Sequence, residues 1–173
     1  MFCVCVPLEG RSGGITMLCQ KEYMIHLRAF LRFHVDVDVL PANSVPGRWL
    51  TGFYGAAEIS QRMYGWDTPK SLRNQSDAPW LCFGDFNEIL YQHERTRAAR
   101  PLRQIHDFRQ FSGSKFTWCN KRRAPDAVRA RLDRACANPA WVKRFPRYVV
   151  SHILSCQSDH KMMLVNMEAA ESR

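Results

Sequence analysis

The stretch that most restricts how this chain can fold is Pro79 to Leu90, PWLCFGDFNEIL. Trp80 to Phe83 are apolar at every position, so they cannot alternate between core and solvent, and they predict a strand buried on both faces. Gly84 allows a tight exit, and Asp85 falls at the strand's end. Asp85 and Asn87 stand two residues apart, so from a strand terminus both can address one phosphate, water or metal ion. An isolated D-x-N is more often an ordinary turn that satisfies its own backbone. Its company in the rest of the chain decides between the two.

Before this strand, Phe2 to Val6 is apolar and Gly10 to Leu18 reads as a turn followed by a strand. Tyr23 to Phe33 mixes helix and strand signals. His34 to Leu40, HVDVDVL, alternates strictly and predicts a half-buried strand with Asp36 and Asp38 facing solvent. Arg48 to Tyr54 returns as a strand after the turn cluster Pro41 to Gly47. Ile59, Met63 and Trp66 follow helical spacing, which predicts a short helix that Pro69 ends. After the central strand, Leu102, Ile105, Phe108 and Phe111 predict a second helix, surrounded by Arg95, Arg97, Arg100, Arg103 and Arg109. Asn138 is placed to cap a helix that begins at Pro139, and Val149 to Leu154 and Met162 to Met167 read as the last strands.

Composition narrows the function classes. At 173 residues the chain, 1–173, is most simply one domain with a proper core. Lys and Arg outnumber Asp and Glu by 25 to 16, and the net charge of +9 favours a polyanionic partner such as nucleic acid, a merely soluble basic surface being the alternative. No run approaches a membrane span and no signal peptide opens the chain, so an intracellular protein without a membrane partner is expected. Seven cysteines, an odd number with no C-x-x-C pair and no zinc-ligand spacing, read as reduced thiols.

Four phrases, GDFN at Gly84 to Asn87, WLTGFYG at Trp49 to Gly55, RLDRA at Arg131 to Ala135 and SDH at Ser158 to His160, resemble the motifs of the exonuclease, endonuclease and phosphatase family, in its order. PWLCFGDFNEIL, FSGSKFTWCNKRR and RLDRACANPAWVKRFP look like the endonuclease domain of plant LINE-type (non-LTR) retrotransposons, and the likeness runs from about Gly10 to Met167. The resemblance implies an α+β fold, the four-layer α/β/β/α two-sheet sandwich of deoxyribonuclease I. It also implies a phosphodiester hydrolase dependent on magnesium (Mg2+), acting on DNA. On that basis Asp85 would deprotonate the attacking water and Asn87 would donate to the phosphate. His160 would act as an imidazolium held by Asp133, Tyr54 would bond the phosphate, and Asp159 would contribute to the metal site. Lys121, Arg122 and Arg123, with Arg131 and Arg134, form a basic stretch around Trp118 that suits a DNA backbone, though a merely solvated charged face fits it as well. A DNA substrate implies nuclear access.

The sequence also departs from the family's pattern. The family's first two strands carry an asparagine and a metal-binding glutamate; here no asparagine precedes Asn43, and Glu9 lies in an expected turn where the family's glutamate does not fall. The segment between HDFRQ and FSGSKFTW is also shorter than usual. These departures imply an N-terminally truncated, incomplete sandwich with impaired activity. The alternative is a catalytically inactive remnant that at most binds nucleic acid. Oligomeric state is open, since a missing strand can be supplied by a second chain.

Overall fold

The computed structural model describes residues 2–9, 12–20, 23–41, 48–75, 77–96, 114–155 and 158–167. The chain opens with an antiparallel hairpin of β1 (Phe2–Glu9) and β2 (Ser12–Cys19). A meander follows: β3 (Tyr23–Leu31), β4 (His34–Pro41) and β5 (Arg48–Tyr54). From β5 the chain crosses through helix α1 (Arg62–Arg73) to β6 (Trp80–Asp85), which lies parallel to β5. A short pair, β7 (Trp118–Cys119) and β8 (Arg129–Ala130), precedes β9 (Asp133–Ala137), which runs antiparallel along the other side of β6. Helix α2 (Pro139–Arg144) and a final hairpin of β10 (Val149–Ile153) and β11 (Met162–Asn166) complete the described chain.

The central sheet has the order β3-β4-β5-β6-β9 and is covered on both sides. Val35, Val37, Val39, Leu50 and Leu81 point to one face, where they pack with Met17 of the first hairpin, Val150 of the last, and Trp141 of α2. Trp49, Phe53, Trp80 and Cys82 occupy the opposite face, under Leu72 of α1. The result is an α+β fold, mainly sheet, with two hairpins on one side of a five-stranded sheet and a helix on the other. Among the described residues the hairpins are not joined into a single second sheet. No described helix is long and apolar enough to cross a membrane. The six described cysteines are free thiols.

Three expectations are corrected here. Helix α1 runs through Pro69 to Arg73 rather than ending at the proline. Beyond it Leu72 is buried in the sheet core, and such packing holds a short helix more than its hydrogen-bond ladder does. Asp36 is not solvated, because both faces of β4 are covered. It accepts from Thr51 Oγ1 at 2.5 Å, and Thr51 Oγ1 in turn accepts from Trp80 Nε1 at 2.8 Å. Only Asp38 reaches the rim, paired with Arg28 at 3.1 Å. Glu9 closes β1 opposite Ser12 instead of lying in a turn. The expected Leu102 to Phe111 helix and the side chains of Ile59, Met63 and Trp66 lie outside what is described.

Candidate active site

Strand register brings the candidate residues together. Tyr54 pairs with Asp85 across β5 and β6, and Asp85 pairs with Asp133 across β6 and β9, so the three form a row at one end of the sheet. By strand alternation all three share the face that packs against the hairpins. Gly84 lets β6 approach β5 this closely: at φ +147°, a Cβ there would lie 2.0 Å from the Phe53 carbonyl oxygen.

Backbone contacts then stitch the four sequence phrases to one another. Gly55 N–H donates to the Asp85 carbonyl at 2.6 Å. Asn87, held at φ +52°, donates from Nδ2 to the Gly55 carbonyl at 2.7 Å and to Asp85 Oδ2 at 2.9 Å, while its backbone N–H donates to Asp85 Oδ1 at 2.7 Å. Both amide protons of Asn87 are therefore used internally. Asn87 orients the Asp85 carboxylate, and the expected donation to a phosphate is not what this geometry provides. Thr117, almost fully buried, accepts at Oγ1 from the Leu132 and Asp133 N–H groups, each at 3.0 Å. Its carbonyl accepts from Lys161 N–H at 2.9 Å, and Trp118 bridges to His160. Thr117 and Trp118, RLDRA and SDH thus form one wall.

His160 is the electrostatic centre of that wall. Its Nδ1 lies 3.2 and 3.1 Å from the two Asp133 carboxylate oxygens, and its Nε2 lies 3.6 Å from Asp85 Oδ2. Burial works against the imidazolium, but the Asp133 hydrogen bond and the charges of Asp133, Asp85 and Asp159 outweigh it, and the pKa is raised above the ordinary histidine value. On β10, burial drives His152 the other way, below the ordinary value, with Asp133 only partly offsetting it. Of the two histidines beside Asp133, only His160 is thereby shifted toward its charged form. Asp159 accepts from Trp118 Nε1 at 2.8 Å. A cleft of about 250 Å³ is lined by Tyr54, Asp85, Asn87, Trp118, Asp159 and His160, among others.

The basic stretch divides. Lys121, Arg122 and Arg123 are exposed on a loop that leaves the cleft wall at Trp118 and is braced by Asn120, whose Oδ1 accepts from Arg122 and Val128 N–H and whose Nδ2 donates to the Asp126 carbonyl. Arg131 and Arg134 are corrected: each is only 7% exposed and serves the interior. Arg131 donates to the Lys115 and Ser114 carbonyls. Arg134 forms a buried ion pair with Glu94, and both arginines are closed to a DNA backbone. Residue patterns also left unassigned the roles of Thr117 as a brace, Trp118 as a cleft wall, and Arg95, which lines the cleft. The phrase FTW was the available signal for the first two.

Asp85, Asp133 and His160 converge with ligand atoms within 4.8 Å of one another, but His160 Nδ1 is already engaged by Asp133. Magnesium prefers oxygen ligands, is commonly held by only one or two carboxylates, and keeps water and substrate phosphate in the rest of its shell. Asp159 offers the cleft a further carboxylate, outside that trio.

Comparison with solved structures places the fold. The chain is similar to the endonuclease domain of TRAS1, a telomere-specific non-LTR retrotransposon, with a TM-score of 0.59 and 12% identity over 91% of this chain and 74% of that one. It is also similar to a beta toxin from Staphylococcus aureus, with a TM-score of 0.50 and 11% identity over 78% of this chain; the matched region spans 56% of the toxin. At these identities the likeness is one of fold. No family profile and no curated protein sequence matches the chain.

Proposed function

We propose that this chain is a phosphodiester hydrolase of the deoxyribonuclease I-like, four-layer sandwich class, acting on DNA as a retrotransposon-type endonuclease with Mg2+. The observation that carries the reading is the line Asp133, His160, Asp85 at the mouth of a cleft formed where all four sequence phrases meet. Asp133 favours the protonated form of His160. Its Nε2 proton, too far from Asp85 for a hydrogen bond, is available to a non-bridging phosphate oxygen. Asp85, fixed by Asn87, takes the proton of the attacking water. Tyr54 lies at the end of the same row to hydrogen-bond the phosphate. When bound, Mg2+ would be held through Asp159 and would offset charge developing on the phosphate. Lys121, Arg122 and Arg123 contact the DNA backbone and position it without reading sequence.

A second reading rests on a specific observation: Asp85 and Asp159 both already accept hydrogen bonds from Asn87 and Trp118. A carboxylate set engaged in this way holds a metal weakly, so activity is expected to be low, and a protein that binds DNA without cutting it is the limiting case.

Nicking of supercoiled plasmid with Mg2+, beside His160→Ala and an EDTA control, tests both. The expected result is slow nicking that EDTA abolishes and that His160→Ala lowers about 10²–10³-fold. Salt-sensitive DNA binding without nicking establishes the second reading, and a protein that neither nicks nor binds DNA overturns both.

A further inference from the structure

The turn after Asn87 carries two aromatic rings that the hydrolytic reading does not use. Tyr91 is 58% exposed, and its ring stacks on that of His93, also exposed, with centroids 5.3 Å apart and planes within 9°. The backbone beneath them is braced. Leu90 and Tyr91 N–H groups donate to Glu94 Oε2 at 2.7 and 3.2 Å, and the buried Arg134 clamps the same carboxylate. Arg134 also donates to the Glu88 and Arg131 carbonyls. A parallel ring pair is thus presented on a fixed turn.

Its location ties it to the cleft. Ile89 on one side of the turn and Arg95 on the other both line the cleft, and Arg95 Nε is buried without a hydrogen-bond partner. We propose that Tyr91 and His93 form a stacking platform for one nucleobase of the DNA strand whose phosphodiester enters the cleft, an inference that rests on the reading above. Every base presents a π-face, so the platform accepts any base and acts by fixing register. A base held there stops the strand from sliding past Asp85. A protein partner fits less well, because the chain carries +9 and the ring pair is followed by the cationic Arg95, which lines the cleft.

The test uses DNA oligonucleotides with 2-aminopurine at successive positions, bound to the protein in EDTA so that they remain intact. One position is expected to change its emission on binding. Tyr91→Ala should abolish that change and weaken binding about 10-fold, Tyr91→Phe should keep both, and His93→Ala should reduce both. Retention by phenylalanine separates ring stacking from a hydrogen bond of the hydroxyl. If Tyr91→Ala binds as tightly with the same emission change, the platform is overturned while the hydrolytic reading stands. If the protein with Tyr91 intact binds no DNA, both fall.

Discussion

The charge of His160 depends most on one neighbour, Asp133. Burial alone would make its imidazole neutral, and the Asp133 hydrogen bond, reinforced by nearby carboxylates, reverses that. Asp133→Asn removes the strongest of the opposing effects, so the His160 pKa should fall, and NMR titration of its ring would record it. Because the folded pKa is raised, the contribution of His160 is fully present below its unfolded value of about 6.5 and is lost as pH rises through the folded pKa. The stability advantage of the parent over Asp133→Asn should therefore shrink on the alkaline side, and an advantage that grew with pH would contradict this assignment. Any nuclease activity of the variant should lose its neutral-pH rate first, as imidazolium is depleted.

At the scale of elements, Arg134 on β9 holds the turn after β6 through Glu94, and the pair is almost fully buried. Removing one partner leaves the other charge buried and uncompensated, so Glu94→Gln should cost about 3–5 kcal/mol in urea unfolding at neutral pH. Burial would raise the Glu94 pKa, but Arg134 and the Leu90 and Tyr91 N–H groups hold it below the usual carboxylate range. Its contribution is present above about 4.3 and disappears as pH falls through the folded pKa, so the gap between parent and variant should close in acid. An unchanged gap at low pH would mean that the carboxylate charge is not what stabilises the turn.

The same pair shows what residue patterns can and cannot reveal. Trp80 to Asp85, Arg48 to Tyr54 and the Asn138 cap, whose Oδ1 accepts from Trp141 N–H at 2.8 Å, were legible because apolar runs, turn residues and caps are local signals. Arg134 read as a surface cation because its partner lies 40 residues away in sequence. Asp36 misled for a related reason: alternation identifies the two faces of a strand but not whether the polar face is covered. The row Tyr54, Asp85, Asp133 depends on register across three strands, which spacing within any one segment cannot supply. Resemblance to known motifs, rather than periodicity, singled those residues out.

For the whole molecule, the outer edge of the sheet is the exposed liability. β3 ends the strand order, and Leu27, Phe30 and Leu31 on it are 50%, 59% and 65% exposed. An edge of this kind offers unpaired backbone and apolar side chains to a second chain, and proteins usually blunt it with charge. The arginine on β3 lies along the sheet and leaves the edge uncharged: Arg28 pairs with Asp38 of the neighbouring strand and stacks over Trp49 at 4.7 Å. The net charge of +9 opposes association at low ionic strength, but salt screens it over a Debye length of about 8 Å at physiological strength. Self-association should therefore increase with added salt as well as with concentration. Leu27→Lys places a charge on the exposed edge where no buried contact is lost, so it should suppress association while changing unfolding stability by no more than about 0.5 kcal/mol. Sedimentation velocity of both proteins across a salt series decides the matter. A parent protein that stays monomeric at high salt, or a Leu27→Lys variant that associates equally well, would place any association elsewhere than on β3.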